Sequence, residues 1–312
     1  MALVGLDSKD LKLIIFGGKG GVGKTSCAIA ASIALSENFK TLLISTDPAH
    51  SISDCLEQEI GFNVREVIDH KNLSAIEVDA EVALSGFKSQ NESALKKLLE
   101  TSSNLDSKDI DEMLSLSIPG IDEVMSFKTI IDLIEVGDYD KYVVDTAPTG
   151  HALRLISSPK LLDDWIKVVA RMRWKYRYMI TSFSGSYQQD EVDAFLLSLK
   201  KTVKRIEDIL KDKAKCQFIP VCIPEAMAIL ETRRLLKQLG DSEIISQQII
   251  VNHIMISEEG DFCKKKKASQ YKYIKEISEA FSDLNRIEIP EFAEEIIGEN
   301  ALNQLKKCLF VK

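Results

Sequence analysis

The sequence predicts an α/β protein: a mostly parallel, twisted sheet flanked by helices, with a helical insertion subdomain. Three observations carry that prediction. Short apolar runs recur along the chain and alternate with longer helix-favouring segments, the order expected of parallel strands joined by crossover helices. A glycine-rich stretch joins the first apolar run to an Ala-rich segment beginning near Lys24. Two polar stretches with helical spacing, 80–118 and 159–212, interrupt the alternation and read as insertions in a single domain spanning 1–312.

The first run, Leu11 to Phe16, leads into Gly17-Gly18-Lys19-Gly20-Gly21-Val22-Gly23-Lys24-Thr25-Ser26. From Gly18 to Thr25 the spacing is that of a phosphate-binding loop (P-loop), glycine, four residues, then Gly-Lys-Thr. Glycines let the backbone curl so that successive N–H groups point at phosphate oxygens. Lys24 supplies a point charge for the β and γ phosphates, and the Thr25 hydroxyl can ligate Mg²⁺. The implied ligand is a nucleoside triphosphate. A second lysine, Lys19, reads either as a solvated cation at the loop mouth or as one reaching across a dimer interface to a second nucleotide.

The helix after the loop, Ser26 to Ser36, is followed by a buried strand, Thr41 to Ser45, that ends in Thr46-Asp47-Pro48-Ala49-His50-Ser51. Ligands of open α/β sheets bind at the carboxyl edge, so Asp47 is placed to orient an attacking water or accept its proton. An Asp-Pro turn or a cap for Ile52 to Leu56 is the other reading of Asp47, and His50 reads as structural. Leu73 to Val78 is another strand. Beyond it, Val82, Phe87, Leu95, Leu98 and Leu99, then Ile110, Met113, Leu114 and Leu116, mark amphipathic helices that pack on a core or wall a groove.

Pro119 to Glu123 opens a helix with an inward stripe of Ile121, Val124, Met125, Ile130, Ile131 and Ile134. The strand Tyr142-Val143-Val144 then ends in Asp145, which fits a carboxylate holding Mg²⁺ directly or through water, with Gly150 as a point of movement. Trp165, Val168, Val169, Met172 and Tyr176 form an apolar stripe opposite Arg171, Arg173, Lys175 and Arg177, and Glu191 to Lys211 is a strongly amphipathic helix. Strands follow at Gln217 to Ile223, Gln248 to His253 and Arg286 to Ile289, with helices over Glu225 to Leu239 and Ala268 to Phe281. Asn252, at a strand end, reads as an adenine contact or as a structural cap. Cys263 to Lys267 reads as a solvated basic run. The tail helix, Ala301 to Phe310, sets Leu302, Leu305 and Leu309 against the core or a membrane.

Lys and Arg total 40 against 48 Asp and Glu, a net charge of −8, which disfavours nucleic acid as a partner. No basic start followed by an apolar stretch marks a secretory signal, and no apolar run approaches membrane-spanning length. Six cysteines lie without paired spacing. A reducing cytoplasmic location is therefore expected.

Taken together, the Gly-Lys-Gly-Gly-Val-Gly-Lys-Thr loop, Asp47-Pro48-Ala49-His50 and Asp145-Thr146-Ala147-Pro148-Thr149-Gly150-His151 resemble the ArsA family of ATPases, which includes arsenite-pump ATPases and factors that deliver tail-anchored membrane proteins. The resemblance extends to Leu153-Arg154-Leu155, Ile223-Pro224-Glu225 and Val251-Asn252. It implies a Mg²⁺-dependent ATPase that works as a homodimer on a hydrophobic membrane-protein client, with a membrane receptor as a further partner. By the same resemblance Lys19 is the signature lysine reaching the partner's nucleotide, Asp47 positions the hydrolytic water, Asp145 stands on the metal side, Asn252 contacts adenine, and Glu225 approaches the nucleotide across the dimer. An arsenite-stimulated pump subunit and an ATP-binding holdase are the alternative functions.

Two departures from the family pattern bear on partners. Targeting members join their subunits through a Cys-x-x-Cys zinc site, but Cys263 is followed at the second position by Lys266, so no structural zinc is expected. Soft thiolates suit arsenite, and the chain has no cysteine from Leu56 through Lys215. The missing cysteines favour a targeting-type ATPase over a pump subunit, and the missing second cysteine leaves its dimer without a zinc clasp.

Overall fold

A computed structural model describes residues 2–47, 51–102, 121–147, 159–160, 162–164, 166–171, 174, 178 and 190–310, with backbone alone at 98–102 and 121–123. His50, Gly150, Trp165, Met172, Tyr176 and the helical positions expected between Ile110 and Leu116 lie outside them.

The sheet strands are β1 (Leu13–Gly17), β2 (Thr41–Ser45), β3 (Arg65–Glu66), β4 (Leu73–Glu77), β5 (Lys141–Asp145), β6 (Cys216–Cys222), β7 (Gln248–Ile254) and β8 (Asn285–Pro290). They form one sheet in the order β3-β4-β2-β5-β1-β6-β7-β8. Every neighbouring pair is parallel except β3–β4. The strands β1, β2, β4, β5 and β6 are buried at every position, as expected of continuous apolar runs covered on both faces. β3 was not foreseen: it is two exposed polar residues, too short and too charged to show strand periodicity.

The helices are α1 (Lys24–Ser36), α2 (Ser51–Leu56), α3 (Ala80–Gln90), α4 (Glu92–Ser102), α5 (Ile121–Val136), α6 (Glu191–Lys211), α7 (Ala226–Asp241), α8 (Gly260–Ala280) and α9 (Gly298–Phe310). α1 is buried almost all round because Ala28, Ile29, Ala30 and Ala31 let it lie close to the sheet. α9 packs on α1 and buries Leu302, Leu305 and Leu309, so the tail stripe belongs to the core. At the amino edge Lys141, fully buried, donates to the carbonyls of Ser8 and Leu11 and lies over the Phe39 ring, tying the N-terminal segment to β5.

The chain divides into two compact units. The first comprises 1–78, 132–156 and 209–312; the second comprises 79–131 and 157–208, where sequence spacing placed the insertions at 80–118 and 159–212. Within the second, Asp79 caps α3 by accepting hydrogen bonds from the backbone N–H groups of Glu81 and Val82. The face of α6 carrying Val192, Phe195, Leu199, Val203 and Ile206 is buried, with Phe87 and Phe195 in ring contact. Two expected apolar positions turn outward: Val82 and Val168 are more than half exposed, and the buried stripe of that segment runs instead through Leu162, Ile166 and Val169. The single-step choice of Val168 with Val169 could not fit one narrow helical face.

α8 corrects a further expectation. The basic run Cys263 to Lys267 is part of the helix, which starts at Gly260 rather than Ala268. Lysines are good helix formers, and Gly260, at φ +78, gives the entry turn that polarity alone did not reveal.

Candidate nucleotide site

Parallel pairing in register brings the ends of β1, β2, β5, β6 and β7 to one carboxyl edge, with Phe16 beside Asp145 and Ser45 beside Asp145 on its other flank. Gly18 to Gly23 curl over that edge into α1. Side chains are excluded at two loop positions. A Cβ at Gly18 would lie 2.2 Å from the Val221 carbonyl oxygen; at Gly23, where φ is +87, it would lie 2.4 Å from the Asn252 amide nitrogen. Gly20 and Gly21 face solvent, whereas Val22 is buried and anchors the turn.

Within this cradle Lys24 is 5 % exposed, and its Nζ donates to the Lys19 carbonyl at 3.3 Å. Burial lowers its pKa, while the charges of Asp145 and Asp47 oppose that fall. Lys24, Asp47 and Asp145 therefore lie within electrostatic reach of one another. The Thr25 hydroxyl donates to Asp145 Oδ2 at 2.7 Å, and the other carboxylate oxygen, Oδ1, is buried with no hydrogen-bond partner among the described residues. Burial pushes the Asp145 carboxyl up to about 7, against the opposing effects of the Thr25 hydrogen bond and Lys24, with Asp47 adding to the rise. A carboxylate with one orphaned oxygen beside a threonine hydroxyl is a donor set for a hard cation.

Asp47 follows β2 half-buried, its backbone N–H held by Ser45 Oγ at 3.0 Å. Lys19 is half-buried in the loop, and Ser26 lies in the first turn of α1 beside Cys55. Glu225 is exposed at the N-terminus of α7. Asn252 is 1 % exposed and donates from its amide to the Val22 carbonyl at 3.0 Å, so its side chain braces the phosphate loop.

Sequence reasoning missed three supports of this edge. Thr146 Oγ1 donates to the Phe16 carbonyl at 2.8 Å, clasping the end of β5 to the end of β1. Buried Glu77 accepts from both the N–H and hydroxyl of Ser53, anchoring the helix after the Asp47 loop. Gln270 grips the backbone beside Asn252. Only a glutamate ending the apolar run of β4 hinted at any of these.

The profile of the family described as anion-transporting ATPase (ArsA ATPase) matches residues 11–311. This chain belongs to the ArsA ATPase family. It is accordingly an ATP-hydrolysing enzyme. A protein named ATPase ASNA1 homolog 1 from Paramecium tetraurelia is 33 % identical over 322 residues, covering 97 % of this chain and 94 % of the relative. A protein named ATPase get3 from Pyrenophora tritici-repentis is 32 % identical over 315 residues, covering 97 % and 92 %. The ArsA ATPase match and the eight-stranded, mostly parallel sheet agree on an α/β P-loop fold. No helix among the described residues is long and apolar enough to cross a membrane.

Proposed function

We propose that this ATPase is a homodimeric nucleotide switch that binds hydrophobic membrane-protein clients, tail-anchored proteins foremost, and releases them to a membrane receptor in the cytoplasm. The observation that carries the reading is the gathering of Lys24, Asp47 and Asp145 around the loop that contains Lys19. The resemblance to targeting ATPases and the whole-length likeness to ASNA1 and get3 ATPases support the client class.

In this mechanism the N–H groups of Gly20 to Thr25 and Ser26 hold the phosphates and Lys24 offsets their charge. Thr25 and Asp145 would hold Mg²⁺, which when bound screens the phosphate oxygens and withdraws charge from the bond to be broken. Asp47 orients the attacking water and receives its proton. Lys19 reaches the partner's nucleotide, Glu225 approaches it across the same interface, and Asn252 lies at the adenine end. Loss of the γ-phosphate frees the two loops that follow β2 and β5, and the dimer opens.

Asp47→Asn should leave ATP binding intact and slow hydrolysis at least about a hundredfold. Unchanged turnover would remove Asp47 from the chemistry. Co-expression with a tail-anchored test protein should give nucleotide-sensitive co-purification, and its absence would point to another client. Two Cys263 thiols from a dimer would leave a tetrahedral zinc site half-filled, so chelators should not alter the oligomeric state. The missing cysteines between Leu56 and Lys215 argue against arsenite as effector, and arsenite should not stimulate turnover. Near-zero turnover with full client binding would instead favour a holdase.

A further inference from the structure

We propose that Gln270, on α8 and outside the nucleotide site, is a positioning residue that sets the grip of Asn252 on the phosphate loop. The inference rests on the nucleotide site described above and begins with a backbone anomaly. His253, directly after Asn252, has φ +58, a left-handed conformation that a non-glycine residue adopts at a free-energy cost. It sits where the β7–β8 register breaks, between Val251 and Ile254. Such a conformation persists only where surrounding bonds over-determine it.

Those bonds come mainly from one buried amide. Gln270 Nε2 donates to the His253 carbonyl at 2.8 Å, and Gln270 Oε1 accepts from the Met255 N–H at 2.9 Å. One side chain therefore clamps both sides of the irregular turn, its amide supplying the donor to one side and the acceptor to the other. One turn earlier on the same helix, Lys266 Nζ lies 3.1 Å from Glu291 Oε2, and that oxygen lies 3.4 Å from His253 Nδ1. The Glu291 N–H also donates to the Ile254 carbonyl at 2.8 Å. The turn is thus held from α8 and from the end of β8.

The result is delivered to the phosphate loop through Asn252. Its amide reaches the Val22 carbonyl at 3.0 Å, and the His253 ring comes within 4.0 Å of a Cβ built at Gly23. If the turn relaxes toward negative φ, Asn252 leaves Val22, and the backbone N–H groups from Gly20 to Thr25 lose a brace on their preorganised curl. ATP must then order the loop as it binds. Chemistry in the fully bound complex is spared, so the change belongs in KM.

Steady-state ATPase kinetics test this with Gln270→Met, which removes both hydrogen bonds at similar size. KM for ATP should rise about fivefold, the loss expected for one buried hydrogen bond, with kcat within about twofold. Gln270→Glu, which keeps the bond to Met255 but opposes the His253 carbonyl, should act in the same direction. In an Asn252→Ala background the Gln270→Met change should add nothing further, because both substitutions break one brace. Unchanged KM in both Gln270 variants, or additive effects with Asn252→Ala, would overturn the proposal. So would failure of both variants to fold, which would assign Gln270 to the core alone. An Asn252→Ala enzyme with unchanged KM counts against Asn252 itself, whereas a wild type that binds no ATP in a fluorescent-nucleotide titration counts against the nucleotide site.

Discussion

Asp145 is a desolvated charge at the carboxyl edge, and neutralising it should stabilise the nucleotide-free protein while abolishing its use of Mg²⁺. Its carboxyl is pushed from an ordinary 3.8 to about 7, chiefly by burial. A raised native pKa means that the folded state keeps a proton which the unfolded state has surrendered. Stability therefore falls as pH rises from 3.8 and levels off above about 7. At about 1.4 kcal/mol per pH unit the full loss is about 4 kcal/mol, somewhat over half of it between pH 5 and pH 8. Asp145→Asn keeps the shape and removes the charge. Denaturant unfolding without nucleotide should find the variant more stable than wild type at pH 8 by up to this amount, with the gap narrowing toward pH 4. Adding Mg²⁺ and ATP should stabilise the wild type alone, and the metal's effect on it should weaken below pH 7 as protons compete. A wild-type stability that is flat or rising from pH 5 to 8, or an Asp145→Asn variant less stable at pH 8, would refute the account of Asp145 as a desolvated, cation-awaiting carboxylate.

Three other substitutions probe separate parts of the structure. Gly23→Ala forces a side chain into a left-handed position already filled by Asn252, so fluorescent-nucleotide titration should show at least about a tenfold loss of affinity. Leu305→Ala leaves a cavity between α9 and α1 and should cost about 2–5 kcal/mol in unfolding experiments, with KM for ATP unchanged. Lys141→Met strips the Ser8 and Leu11 carbonyls of their donor, so stability should fall by about 1–3 kcal/mol, and limited proteolysis should open first near the N-terminus.

The fold was largely legible because the buried parallel strands are built around short apolar runs, and the phosphate-loop glycines follow from sterics. β2, Thr41–Ser45, matches its expected bounds, and α9 buries the expected leucines. The misreadings fall where apolar periodicity carries no signal. β3 and the outward turn of Val168 are decided by packing, and the start of α8 by the single turn at Gly260, none of which apolar periodicity records. Lys141 looked like one of many charges, yet it is buried because carbonyls of the N-terminal segment converge on it.

The sequence by itself determined the chemistry on offer: a phosphate loop, a second lysine within it, and two strand-end aspartates, because residue type and short spacing suffice to specify each. Only the tertiary structure decided how these parts are held. Strand register puts Thr25 on Asp145 and leaves one carboxylate oxygen bare. A strained turn at His253, gripped by Gln270 from a helix that begins after it in the chain, sends Asn252 to the loop backbone. Such bonds join residues far apart in the chain, and their geometry exists only once the sheet has paired and the helices have closed over it.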